Sequence, residues 1–321
     1  MPVIVSPRSA ERVIVLGAGA SAHLGYPLGG PLLTAIRDAI EEPSEFLTSA
    51  FLHAKISGES LDSFRNELDL ATVDSIDQFI EKNARFAEIA RIMIAHELIG
   101  VEDRVRLSNS KSNWYHNLAN LIVELLEGGR YPPVLLTFNY DLSLDEFLRS
   151  FPVPPNLLAP AETLADRVTL LHLHGNLGSV HKPEKGVEVR RYGQSVEVDQ
   201  LIRVAAGLRT ISELEHNYTP ELMYAAQMIE KAQKVMFLGF AFDQWNLIRL
   251  RIDSGGRCQP WNVRGKFYGT AFKLDSKRRR ELSAASDDLL ELTAADMDLQ
   301  MFAEAGFLSW LKEPVVSLQK G

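Results

Sequence analysis

Four short segments of this 321-residue chain carry residue types suited to chemistry rather than packing alone. The first is Gly17-Ala18-Gly19-Ala20-Ser21, trailed by Gly25 and Pro27. Glycines so spaced let the backbone turn sharply and approach a phosphate, while N–H groups opening the next helix offer partial positive charge to a pyrophosphate. The pattern fits G-x-G-x-x-G/A, although a tight strand-to-helix turn with nothing bound uses the same residues. The others are Asn139-Tyr140-Asp141, His174-Gly175, and Gly239-Phe240 with Asp243, Trp245 and Asn246 close behind. Each of these has a plainer use as well. Asn139 and Asp141 suit helix capping, His174 suits a hydrogen-bonded place in a core, and Gly239 suits a turn.

Several chemistries are disfavoured at once. A P-loop requires G-x-x-x-x-G-K-S/T, and no lysine stands near Gly25. A dehydrogenase places an acidic ribose ligand after a second strand, about 20 residues beyond the glycines. Here that window reads TAIRDAIEEPSEF, with Asp38, Glu41 and Glu42 in a helical pattern. His172 and His174, two apart on one strand with His181 nearby, raise a metal reading, but no acidic residue directly adjoins the pair, and no metal is expected. The lone Cys258 forms neither an internal disulfide nor a four-cysteine zinc site.

These residues need elements to position them. Short apolar runs at 12–16, 133–138, 168–173, 234–238 and 266–270 read as strands buried on both faces. Helical spacing appears between them, at 115–127 and at 220–232, where Thr219-Pro220 supplies an N-cap and a first-turn proline. Strands alternating with helices predict an α/β fold, a Rossmann-like parallel sheet flanked by helices. Residues 41–125 hold no convincing strand and read as a helical insertion, leaving 1–40 and 126–321 as the nucleotide-binding domain. Within the insertion, Ser75 and Gln78 are spaced as a capping box, and the apolar stripe from Ile76 to Leu98 predicts one long amphipathic helix. Segments 106–113, 151–160 and 253–262 read as loops or connectors. The KRRR run at 277–280 reads as the solvated face of a helix.

Composition sets the setting. With 46% hydrophobic and 24% charged residues the chain is of ordinary globular type, and its formal net charge of −8 argues against coating nucleic acid or an anionic membrane. No 18-residue apolar run and no secretory leader is read, so the expected address is the cytoplasm.

Taken in order, GAGAS with Gly25 and Pro27, TFNYD at 137–141, His174-Gly175 and FLGFAFDQWN resemble the sirtuin superfamily, in particular its prokaryotic antiphage-defence branch. The phrase SIDQFIE at 75–81 is similar to a helical element of that branch. The resemblance implies that Gly17, Ala18, Gly19, Ala20 and Ser21 cradle the phosphates of NAD+. It implies that Asn139 positions the nicotinamide ribose or an attacking water, that Asp141 lies by the carboxamide, and that His174 is the general base. Gly239 and Phe240 would approach the adenosine side, with Asp243 a neighbour. The zinc module of the superfamily's deacetylases needs four cysteines, so this chain departs from deacylation and the resemblance favours NAD+ cleavage by water. It further implies a homo-oligomer, restrained until triggered, beside an ATPase or Argonaute-type partner.

The chemistry suits these groups. Nicotinamide leaves already positively charged, so the site must supply a placed nucleophile, a base and exclusion of stray water rather than a strong acid. Two other classes stay open: a module that senses NAD+ or ADP-ribose without cleaving it, and an oxidoreductase.

Overall fold

The computed structural model describes residues 11–109, 113–179, 188–209, 219–252, 266–272, 274, 276–285, 290–293 and 297–313. His181, Cys258 and the 253–262 loop lie outside the described residues. The apolar runs become β1 (Arg12–Leu16), β2 (Val134–Thr137), β3 (Leu170–His172), β4 (Lys234–Leu238) and β5 (Lys266–Thr270). An additional strand, β6 (Leu290–Thr293), was not foreseen. All pairs are parallel, and the six strands stand in the order β3-β2-β1-β4-β5-β6. The chain therefore winds outward from β1 in one direction, then crosses back to β4 and winds outward in the other. The crevice where the direction reverses lies beyond the carboxyl ends of β1 and β4, where open α/β sheets hold ligands.

Helices cover both faces of the sheet. Along β1, Ile14 and Leu16 face one core and Val13 and Val15 the other, the alternation a strand imposes. The first core is filled by α1 (Gly29–Glu41), α2 (Glu45–His53), α3 (Gly58–Leu70), α4 (Ile76–Lys82), α5 (Ala87–Gly100), α6 (Arg104–Ser108), α7 (Tyr115–Glu127), α8 (Ser143–Ser150) and α9 (Val198–Ala205). The second is closed by α10 (Pro220–Lys231), α11 (Gln244–Arg249) and α12 (Ser276–Ala285). A last helix, α13 (Leu299–Glu304), and the 3-10 turn Phe307–Lys312 return to the first core.

Three sequence expectations need correction. The long helix from Ile76 to Leu98 is broken at Asn83, whose φ of −134° and ψ of 53° leave the helical region. Its side-chain amide donates to the Phe79 carbonyl at 3.0 Å, ending α4, and the rings of Phe64, Phe79 and Phe86 then pack together across the break. The capping box is also half-formed: Ser75 Oγ accepts from Gln78 N at 3.2 Å, but Gln78 Oε1 reaches Asp74 N at 3.0 Å rather than its own cap residue. The stretch read as a loop from 106 opens inside α6, capped by Asp103. Thr219 caps α10 as expected.

Candidate functional site

Strand register brings three chemistry-bearing ends side by side. Leu16 pairs with both Thr137 and Leu238, so Gly17, Phe138 and Gly239 leave the sheet as neighbours. The glycine turn follows as two 3-10 turns, Ala18–Ala20 and Ala22–Leu24. Gly19 N donates to Gly239 O at 2.9 Å, and a Cβ on Gly17 would stand 2.6 Å from that same oxygen. Trp114, at the start of α7, donates from Nε1 to Ala20 O at 2.8 Å and pins the turn from the other side. Ala18 and Ala22 are exposed and Gly19 half-buried, so part of the turn stays accessible although the Gly19 and Ala20 amides are bonded within the fold. Gly25, at φ +92°, ends the second turn against Arg106, which donates to Leu24 O at 2.7 Å, and a side chain there would meet that guanidinium. Pro27 is half-buried on the way into α1.

Asn139 and Ser21 meet directly. The side-chain amide of Asn139 donates to Ser21 Oγ at 3.2 Å, and Ser21 is 2% exposed. Its backbone is held as well: Asn139 N donates to Thr137 Oγ1 at 3.0 Å, and Asn139 O accepts from His172 Nδ1 at 2.9 Å. His172 Nε2 donates in turn to Asp145 Oδ2 at 3.0 Å. Both ring nitrogens thus face acceptors, which an imidazolium satisfies. Burial opposes the charge, but Asp145 and the Asn139 carbonyl outweigh it and raise the His172 pKa. His172 therefore supports Asn139, and its acidic neighbour arrives from α8 rather than from the adjoining sequence.

Asp141 is 6% exposed and bonded to the start of α8. Its Oδ1 accepts from Ser143 N at 3.1 Å and from Ser143 Oγ, and Ser143 Oγ meets Tyr115 OH at 2.9 Å. Asp141 thus closes a local turn onto Ser143, the first residue of α8, whose N-cap is Leu142. Burial first and the Asp141 charge second raise the Tyr115 hydroxyl well above its ordinary pKa.

His174 follows β3 and is 4% exposed, its ring edge-on to Phe138 with centroids 5.0 Å apart. Arg249 Nη1 lies 3.3 Å from His174 Nε2 and donates also to Asn246 Oδ1 at 3.1 Å. Burial and the Arg249 charge lower the His174 pKa to about 3. Tyr140, between Asn139 and Asp141, packs tilted against His174 and donates from its hydroxyl to Asp77 Oδ1 at 3.0 Å. Asp77 belongs to α4, so the helical segment reaches into the crevice. Burial raises its pKa, against the Tyr140 hydrogen bond and the Arg249 charge.

On the β4 side, Gly239 N donates to Thr270 Oγ1 at 3.1 Å. Phe240 sits in an aromatic cluster with Phe138, Phe237 and Phe242 beneath the crevice. Asp243 Oδ1 accepts from Asn246 N at 3.2 Å, capping α11.

Sequence reasoning missed Arg249, Asp77, Tyr140, Asp145 and Trp114. Asp77, two residues past a recognised cap, and Tyr140, inside the Asn139-Tyr140-Asp141 segment, lay in stretches already singled out. Among the described residues no three metal-ligating side chains gather, and no helix is long and apolar enough to cross a membrane. Compared with known proteins, the sequence matches no protein family model and no curated protein.

Proposed function

We propose that the protein cleaves the glycosidic bond of NAD+ with water as acceptor, releasing nicotinamide and ADP-ribose, as a member of the sirtuin-like branch that acts in antiphage defence. The observation that carries the reading is the hydrogen bond from Asn139 Nδ2 to Ser21 Oγ. It ties the end of β2 to the phosphate-turn serine at the reversal of strand order, where a dinucleotide is expected. The exposure of Ala18 and Ala22 supports a pyrophosphate at this turn, and the three hydrogen bonds that hold Asn139 support its placing a ribose or a water. Asp141 serves this site through α8, which carries the Asp145 that charges His172. Assembly of copies and action beside an ATPase or Argonaute-type protein in the cytoplasm belong to the same reading.

One observation favours a second reading, a sensor that binds NAD+ or ADP-ribose without cleaving it. A general base works best with a pKa near the working pH, and His174 stands at about 3 with an arginine on its accepting nitrogen. Chromatography of nicotinamide and ADP-ribose after incubation with NAD+, beside Asn139→Ala, separates the two. Release by the wild type alone supports the hydrolase. NAD+ binding without release supports the sensor, and neither binding nor release overturns both.

A further inference from the structure

Arg249 is 5% exposed, inside a fold where a buried guanidinium must find acceptors for its N–H groups. Two of them are His174 Nε2 and Asn246 Oδ1. Asn246 and Arg249 lie three apart on α11, so one helix face presents both, and the Asn246 carbonyl oxygen braces the guanidinium against the imidazole. A guanidinium only donates. The nitrogen it faces must therefore carry the lone pair, and in a neutral imidazole the hydrogen is then on Nδ1.

We propose that Arg249 is a positioning residue that fixes His174 as the Nδ1–H tautomer, so that His174 acts in the crevice as a hydrogen-bond donor and not as a proton acceptor. The groups facing His174 are the rings of Phe138 and Tyr140, the Arg249 guanidinium and, through its bond to Tyr140, the Asp77 carboxyl. None of the three direct neighbours adds negative charge to favour an imidazolium, in contrast to His172, which has Asp145 at 3.0 Å. Two histidines two residues apart thus hold opposite states: His172 donates from both nitrogens, whereas His174 donates from one. The role in turnover rests on the NAD+ reading, where an Nδ1–H would orient a ribose hydroxyl by donating a hydrogen bond to its oxygen. The tautomer does not.

The test is nitrogen-15 NMR of the imidazole nitrogens in the ligand-free, full-length protein, with His174 assigned by its loss in His174→Asn. The expected spectrum has a hydrogen-bearing Nδ1 and a lone-pair Nε2 that stay unprotonated down to about pH 5, well below an ordinary histidine. In Arg249→Met, His174 becomes protonated at higher pH and mixes tautomers; in Arg249→Lys, which still donates, the wild-type pattern largely returns. Hydrogen on Nε2 in the wild type overturns the proposal, as does an unchanged spectrum in Arg249→Met. If that variant does not fold, the wild-type tautomer decides alone. For a wild type that releases nicotinamide, the pH profile is level through the range where an ordinary histidine titrates; an inflection near pH 6.5 that His174→Asn removes would restore the base and overturn the donor role. Absence of any nicotinamide release would sink the hydrolase reading while leaving the NMR result to stand or fall separately.

Discussion

Gly19 and Gly239 meet backbone to backbone. The amide of Gly19 donates to the carbonyl of Gly239 at 2.9 Å, and a Cβ placed on Gly239 would stand 2.4 Å from the Gly19 carbonyl carbon and 2.3 Å from Ala20 N. The two turns that form the floor of the crevice therefore interlock, and the absence of side chains is required by their contact before any ligand arrives. The glycines admit the neighbouring turn, and the flanking Ala18 and Ala22 stay exposed.

Gly239 adds a conformational demand, since its φ is +58°. Replacing it with alanine introduces both left-handed strain and a clash with backbone that has no flexible end to move. Gly239→Ala is expected to lower stability by about 1–3 kcal/mol, the scale of overpacking and of a strained dihedral. Urea unfolding with an unchanged slope measures it; an unaltered midpoint would show that the two turns separate easily.

A second interlock joins the helical segment to residues 188–193. Glu102, just after α5, meets Arg190 in a two-pronged pair, the side chains 0% and 1% exposed, with Glu102 Oε2 also accepting from Gly193 N at 2.8 Å. A buried pair is costly to break one-sidedly because the remaining charge stays in a dry site. Glu102→Gln is expected to cost about 3–5 kcal/mol, and an apolar pair such as Glu102→Leu with Arg190→Met to recover much of it. Thermal or urea unfolding of both variants checks this, and a double variant no better than the single one would point to lost packing instead.

How much of this was legible in the residues depends on the range of the interaction. β1, β4 and α7 announced themselves because their burial patterns are local and repeat with the period of the element. β6 did not, because in LELT only Leu290 is fully buried and an edge strand needs little more. The break at Asn83 was hidden by an apolar stripe that continues across it; the Asn83 amide bonded to the Phe79 carbonyl ends α4, and Phe64 from another helix packs on Phe79 and Phe86 either side of the break. Asn139 and Ser21 were picked out as types at strand ends, and strand order brings them together. Arg249 was out of reach, since nothing in LIRL distinguishes a solvated arginine from one held against a histidine 75 residues earlier.

The paired histidines give a pH signature. The His172 pKa lies above the ordinary 6.5, so its bond to Asp145 contributes fully below about pH 6.5 and is lost as pH rises through the raised folded value. His174 has the opposite sign: with its pKa lowered to about 3, its burial works against the folded state increasingly as pH falls from about 6.5 toward 3. Asp145→Asn should therefore lower the urea midpoint most in mildly acidic buffer and progressively less at alkaline pH. An offset constant across that range would mean His172 is not an imidazolium in the folded protein.

The reach of α4 into the crevice rests on one contact that can be isolated. Tyr140 donates to Asp77 at 3.0 Å, and Tyr140 itself lies between Asn139 and Asp141, packed on His174. A hydrogen bond to a carboxylate is worth about 1.5–3 kcal/mol, so Tyr140→Phe should cost about that much in the wild type. In an Asp77→Leu background, where the acceptor is gone, the same change should cost almost nothing, the difference being the coupling between the helical segment and the end of β2. Asp77→Asn, which keeps an accepting oxygen, should retain most of that coupling. Equal costs of Tyr140→Phe in both backgrounds would mean that the helix only packs beside the crevice. Unequal costs would make Asp77 the link through which any movement of α4 is felt at the ring that borders His174.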